Sequence, residues 1–150
     1  MAPGEIEITK RVDFSASHQL SCPELSAEEN EALYGKCVRH HGHNYVLETT
    51  VAGVPDPRHG MVMNLRELGQ LVREEIVAHV DHRHLNCDVP FLSGVIPTAE
   101  NMVRVFWERL DARISTLDGP RLARLRLFET PTSWAELSSD AAPRGAGQSG

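Results

Sequence analysis

Three histidines are spaced to share one metal ion. In a β-strand residues i and i+2 point to the same side about 6.5–7 Å apart, so His41 and His43, flanking Gly42, can turn two imidazoles toward a common point. His18 ends a separate alternating stretch, Ile6, Ile8, Val12, Phe14, Ala16, His18, all of one parity. An imidazole closing an inward-facing apolar row is costly without a partner, and a metal is such a partner. Three histidines and a free fourth position describe a catalytic zinc site, so zinc is the expected ion and His18, His41 and His43 its ligands.

Cys37 stands four residues before His41 and has three readings. It can be a fourth ligand that closes the site and makes it structural, a thiolate beside the cation acting as a base, or an inert buried thiol. Asp81-His82 pairs a carboxylate with an imidazole that it could orient, or it is a solvated loop. Glu129 continues an apolar strand face, so it either ends in water or is a buried carboxylate needing a partner. A heterocycle edge with adjacent ring N–H and amino donors would suit it. Glu100 and Thr98 have bland explanations in the helix dipole and in helix capping. His40, His59, His79 and His84 read as surface residues, and Cys22 and Cys87 as thiols without a partner.

These residues must be held by elements legible in the pattern. The first strand carries His18, and a second runs through His41, His43, Tyr45, Leu47, Thr49 and Val51 to the Pro-rich turn at 53–57. Ser26 caps a short helical insertion between them. Asn64 caps a helix with apolar Leu65, Leu68, Val72, Ile76 and Val80, and Thr98 caps another with Met102, Val103, Phe106, Trp107, Leu110 and Ile114. A third strand spans Ala123 to Glu129 and a fourth Trp134 to Leu137. The order strand, strand, helix, helix, strand, strand predicts an α+β domain, an antiparallel sheet with two helices on one face. Its exposed edges invite closure by oligomerisation.

The length, 150 residues, fits one domain, read as 1–137 with residues 138–150 a small, polar, disordered tail. A formal charge of −6 is the wrong sign for binding nucleic acid or anionic lipid, and 5% aromatics leave few stacking platforms. No run approaches the roughly 20 apolar residues of a membrane span. Three cysteines leave at least one thiol unpaired, which fits a reducing, cytoplasmic setting.

The ordered set Phe14-Ser15-Ala16-Ser17-His18, Leu25 to Asn30, Gly35-Lys36-Cys37, His41-Gly42-His43-Asn44-Tyr45, Gly60 to Leu65, Asp81-His82, Pro97-Thr98-Ala99-Glu100-Asn101 and Phe128-Glu129-Thr130 resembles the zinc-dependent 6-pyruvoyl- and 6-carboxy-tetrahydropterin synthase family. The resemblance implies the tunnelling fold (T-fold), in which hairpins and helix pairs from several copies join into a barrel, usually a hexamer of two trimers. It implies zinc on His18, His41 and His43, Cys37 as the proton-abstracting base, and Asp81 and His82 as a relay from a neighbouring copy. Glu129 would anchor the pterin and join the relay, with Thr98 and Glu100 near the substrate, 7,8-dihydroneopterin triphosphate.

Three residues separate Cys37 from His41, as in the bacterial carboxy enzymes of 7-deazaguanine (queuosine) biosynthesis, where the animal pyruvoyl enzymes resemble a five-residue gap. The Leu25–Asn30 and Gly60–Leu65 stretches look more like the pyruvoyl branch of the tetrahydrobiopterin pathway. Because the spacing lies inside the site, the expected products are 6-carboxy-tetrahydropterin, triphosphate and acetaldehyde, with the pyruvoyl enzyme the alternative. A zinc hydrolase and a noncatalytic structural zinc-binding oligomer are the competing classes.

Overall fold

The computed structural model describes residues 4–141. Five strands form one sheet in the order Arg83–His84 (β3), Ile6–His18 (β1), His41–Gly53 (β2), Arg121–Thr130 (β4) and Ser133–Ser138 (β5). β1 (Ile6–His18) and β2 (His41–Gly53) pair antiparallel along their whole length, β4 (Arg121–Thr130) pairs with β2, and β5 (Ser133–Ser138) with β4. The alternation read in β1 becomes its burial: Val12, Phe14, Ala16 and His18 are buried while Ile6, near the open end, is exposed. β2 runs centrally, so both faces of its second half are covered and Thr49, Thr50, Val51 and Ala52 are all buried.

α2 (Leu65–Val72) and α4 (Ala99–Ile114) lie on one face and close the core with Leu68, Val72, Met102, Phe106 and Leu110 against Phe14, Leu47, Leu125 and Leu127. Asn64 and Thr98 cap them through Arg66 N–H and Asn101 N–H. No helix among the described residues is long and apolar enough to cross a membrane.

Three features depart from the expected outline. The helix from Leu65 is not continuous: a π-helical turn over Arg73–Val77 separates α2 from α3 (Ala78–Val80). Its apolar residues 68, 72, 76 and 80 recur every four positions, and an ordinary helix with about 3.6 residues per turn would rotate them off the core. One wider turn restores the alignment, and Leu68, Val72, Ile76 and Val80 are all fully buried. The sheet is not purely antiparallel, because β3 (Arg83–His84), in a stretch that also reads as a loop, pairs parallel with Ala16 and Ser17 of β1. The insertion between β1 and β2 is helical as expected, α1 (Ala27–Tyr34), with Ser26 at its N-cap in a capping box with Glu29. Finally, Ser138 belongs to β5 and Ser139 N–H donates to the Ala123 carbonyl at 2.9 Å, so the expected tail starts too early. The rest of that tail, 142–150, lies outside the described residues.

Candidate metal centre

The end of β1 meets the start of β2, with His18 directly opposite His41 and Ala16 opposite His43. The three rings therefore converge from one face, with one nitrogen from each within 4.8 Å of the others. His18 Nδ1 lies 2.9 Å from the Pro97 carbonyl and His41 Nδ1 2.7 Å from the Arg39 carbonyl. A carbonyl only accepts, so both Nδ1 atoms carry the proton and, in neutral rings, both Nε2 atoms carry a lone pair.

Those two Nε2 atoms face each other at 2.9 Å. The Nε2 of His43, also buried, has no hydrogen-bond partner. Burial is the main cause that lowers the pKa of His18, to about 4, against the raising effect of the Pro97 carbonyl. Burial likewise lowers His43, despite the opposing charge of Glu129. With the Nδ1 protons of His18 and His41 held by carbonyls and His43 Nε2 buried without a partner, the cluster is a donor set that fits a metal cation. The carbonyl partners are the outer contacts that fix ring tautomer and orientation in metal sites.

Glu129 joins this cluster. Its Oε1 lies 3.4 Å from His18 Nε2 and 3.3 Å from His43 Nε2. β4 pairs Phe128 with Trp134 and Thr130 with Ser133, so Glu129 falls at an irregularity in the ladder. Such bulges re-aim a side chain beside functional sites. The carboxylate thus stays partly exposed while one oxygen faces the histidines, and among the described residues it pairs with no arginine or lysine. Tyr45 forms the floor: fully buried, stacked on Phe14 at 4.9 Å, its hydroxyl 3.4 Å from His18 Nδ1. Burial, with Glu129 adding to it, pushes its phenol up, so it stays neutral.

Cys37 sits in a single 3₁₀ turn, Gly35–Val38, that leads into β2, and is partly buried. It is not among the donors that converge within 4.8 Å. Its carbonyl accepts Leu20 N–H at 2.9 Å, which ties the 3₁₀ turn to the chain just beyond β1. Asn30, buried, braces the same excursion through Cys22 N–H, the Cys22 carbonyl and the Leu25 carbonyl.

Asp81 and His82 are not brought to the triad within this chain. They sit at the outer edge of β1, where Asp81 Oδ1 accepts Ser15 N–H at 2.9 Å and His82 N–H donates to the Ser15 carbonyl at 2.6 Å. That clamp holds His82 at φ 58°, in the left-handed region, and aims an exposed imidazole away from the core with its Nδ1 3.0 Å from Asp81 Oδ1. The Ser15 hydrogen bond, helped by His82, holds the Asp81 carboxyl below the usual carboxylate range. An open groove of about 410 Å³ runs from His82 and Arg83 across Ser15–Ser17 to Gly42–Asn44.

Thr98 caps α4, as its bland reading had it, and Glu100 is exposed without a hydrogen bond or ion pair among the described residues. Both follow Pro97, whose carbonyl orients His18. Pro97 and Arg39 contribute through backbone carbonyls, which no residue type in the sequence announces. His40 is exposed as expected, yet its Nε2 contacts Ser17 Oγ at 2.8 Å and its ring packs on His84, centroids 4.4 Å apart.

The chain matches the family model for 6-pyruvoyl tetrahydropterin synthase over residues 7–140. It is 40% identical over 128 residues to a human 6-pyruvoyl tetrahydrobiopterin synthase, covering 84% of this chain and 86% of the relative. A Bacillus subtilis 6-carboxy-5,6,7,8-tetrahydropterin synthase is 31% identical over 136 residues, covering 88% and 84%. The solved structure of Caenorhabditis elegans 6-pyruvoyl tetrahydropterin synthase superposes with a TM-score of 0.80 at 33% identity, over 89% of this chain and 95% of that one. Sequence and fold, including the alternation that ends on His18, agree along almost all of the described length: the chain belongs to the 6-pyruvoyl tetrahydropterin synthase family of enzymes.

Proposed function

We propose that this chain is a zinc-dependent lyase that removes triphosphate from 7,8-dihydroneopterin triphosphate and yields 6-pyruvoyl-tetrahydropterin. The observation that carries the reading is the convergence of three imidazoles, two with their tautomers set by Pro97 and Arg39. The ion would supply Lewis-acid polarisation of the side-chain oxygens of the substrate. Zinc is preferred because an all-imidazole set with one position left over is its common catalytic arrangement.

Within that reading Cys37 is the base that takes a proton from a side-chain carbon, since its thiol stays outside the ligand set. Glu100, exposed and without a hydrogen bond or ion pair among the described residues, lies near the substrate in the segment whose Pro97 carbonyl holds His18. Thr98 shapes that segment by capping. Glu129, beside the histidines, anchors the pterin ring and joins the relay. Asp81 and His82 reach no triad atom of their own chain, so as a relay they serve a neighbouring copy. That role supports a homo-oligomer, which on the family resemblance is a hexamer of two trimers closing the barrel.

The pyruvoyl product is favoured by identity: 40% to the human and 44% to the Dictyostelium discoideum tetrahydrobiopterin enzymes, against 31% to the Bacillus subtilis carboxy enzyme. One observation favours the carboxy product instead, the three-residue link between Cys37 and His41. A shift of about 1 Å in a positioned base can decide which proton is reached. Both reactions release triphosphate, so the test is the fate of the carbons. The purified protein is incubated with 7,8-dihydroneopterin triphosphate and both pterin and aldehyde are measured. A three-carbon side chain without acetaldehyde supports the pyruvoyl reading; acetaldehyde equal to triphosphate replaces it with the carboxy reading.

A further inference from the structure

The stretch that follows α3 does more than display Asp81 and His82. It runs beside the end of β1 and takes hold of every second residue there. Asp81 Oδ1 and His82 N–H engage the backbone of Ser15, Leu85 N–H donates to the Ser17 carbonyl at 2.8 Å, and the Asn86 side chain engages Gln19. We infer that Asn86 is a positioning residue for Cys37, an inference that rests on the reading of Cys37 as the base and deepens it.

β1 pairs with β2 only as far as His18 opposite His41, so Gln19 is the first residue past the ladder. Its N–H donates to Asn86 Oδ1 at 2.9 Å, and its carbonyl accepts from Asn86 Nδ2 at 2.9 Å. An amide side chain carries the same acceptor and donor as a peptide, so Asn86 stands in for the strand partner that Gln19 lacks. The next residue, Leu20, gives its N–H to the Cys37 carbonyl at 2.9 Å. Asn86 therefore fixes a residue that has His18 on one side and the hydrogen-bond partner of Cys37 on the other.

The far side of the Cys37 turn hangs from the same stretch. His40, three residues beyond Cys37, packs on His84 with ring centroids 4.4 Å apart. Leu85, fully buried between His84 and Asn86, roots the stretch in the core. The 3₁₀ turn Gly35–Val38 has no side-chain cap of its own, and a base displaced by about 1 Å loses much of its rate. Asn86 is exposed, so water takes over its hydrogen bonds when it is removed and the fold loses little. What goes is the placement of the turn.

The test reads the thiol itself. The purified full chain is treated with iodoacetamide, and the alkylation rate of each cysteine is followed by peptide mass spectrometry, beside the urea midpoint, the metal content and turnover of 7,8-dihydroneopterin triphosphate. In Asn86→Ala the partly buried Cys37 should be alkylated at least about 5-fold faster than in wild type, because local opening exposes it, while Cys22, braced by Asn30, keeps its rate. The kcat should fall at least about 10-fold with KM and metal content within about 2-fold of wild type. Asn86→Asp keeps the acceptor for Gln19 N–H and loses the donor to its carbonyl, so it should fall between the two. Cys37 alkylated at the wild-type rate in Asn86→Ala would overturn the inference, whatever happens to turnover. Faster alkylation with an unchanged kcat would also overturn it, since the placement would then not matter to the reaction. Equal acceleration at Cys22 and Cys37 with a lowered urea midpoint would overturn it as general loosening. A wild-type chain that does not turn the substrate over would remove the lyase reading, and the alkylation rates would still decide whether Asn86 places Cys37.

Discussion

His18 and His41, exact cross-strand partners, turn lone pairs toward each other at 2.9 Å while each gives its one ring proton to a backbone carbonyl. The sheet register sets their approach and the carbonyls set their tautomers, so the pair is prepared for a cation by the backbone itself. The two partner carbonyls lie in different places: Arg39 immediately precedes β2, and Pro97 precedes α4.

Replacing His43 by Ala should therefore lower the metal content of the purified protein well below one per chain. Two imidazoles leave the ion underligated. Elemental analysis reads this directly, and full occupancy in the variant would remove His43 from the ligand set.

Cys37→Ala separates base from ligand. The thiol lies outside the converging donors, so the variant should keep its metal while turnover falls by about 10² to 10⁴-fold, the range for a lost general base. Joint loss of metal and activity would return Cys37 to the ligand set and favour the structural zinc reading.

Asn30→Ala tests the brace behind Cys37. Its side chain bonds Cys22 N–H and two carbonyls, and removing it leaves those groups unpaired at a cost of roughly 1–3 kcal/mol. Urea unfolding should show that loss with metal content unchanged. A shift within about 0.5 kcal/mol, typical of surface changes, would mean the excursion stands without the brace.

A pH dependence follows from Asp81. Its folded pKa is depressed below the ordinary 3.8, chiefly by Ser15 N–H, so its charge stabilises the fold above that value. The contribution is lost as pH falls through the folded pKa. Asp81→Asn retains an acceptor for Ser15 and cannot titrate. The stability gap between wild type and variant, read from urea midpoints, should be present near neutral pH and shrink in acid; a gap independent of pH would mean the charge contributes nothing.

The triad was legible because strand alternation is local: His18 in phase with Phe14 and Ala16, and His41 in phase with Tyr45, need no knowledge of partners. The two capped helices were legible for the same reason. What the sequence hid was nonlocal or carried by backbone. The parallel pairing of β3 depends on where α3 delivers the chain, the π-helical turn on how a four-residue repeat meets the core, and the Pro97 and Arg39 carbonyls on no side chain at all. Glu129 was found by its phase, but the irregularity that turns it to the histidines has no composition signal.

The two tryptophans occupy opposite environments, Trp107 at 6% exposure inside α4's packing and Trp134 at 54% on β5, the outer strand, 5.1 Å from Phe128. The emission of this chain is consequently a built-in optical gauge with one blue and one red contribution. If a second copy laid its sheet along β5, Trp134 would leave water and the red contribution would fade. Dilution of the protein would bring it back, and the midpoint of that recovery would give the strength of the edge contact without any added label.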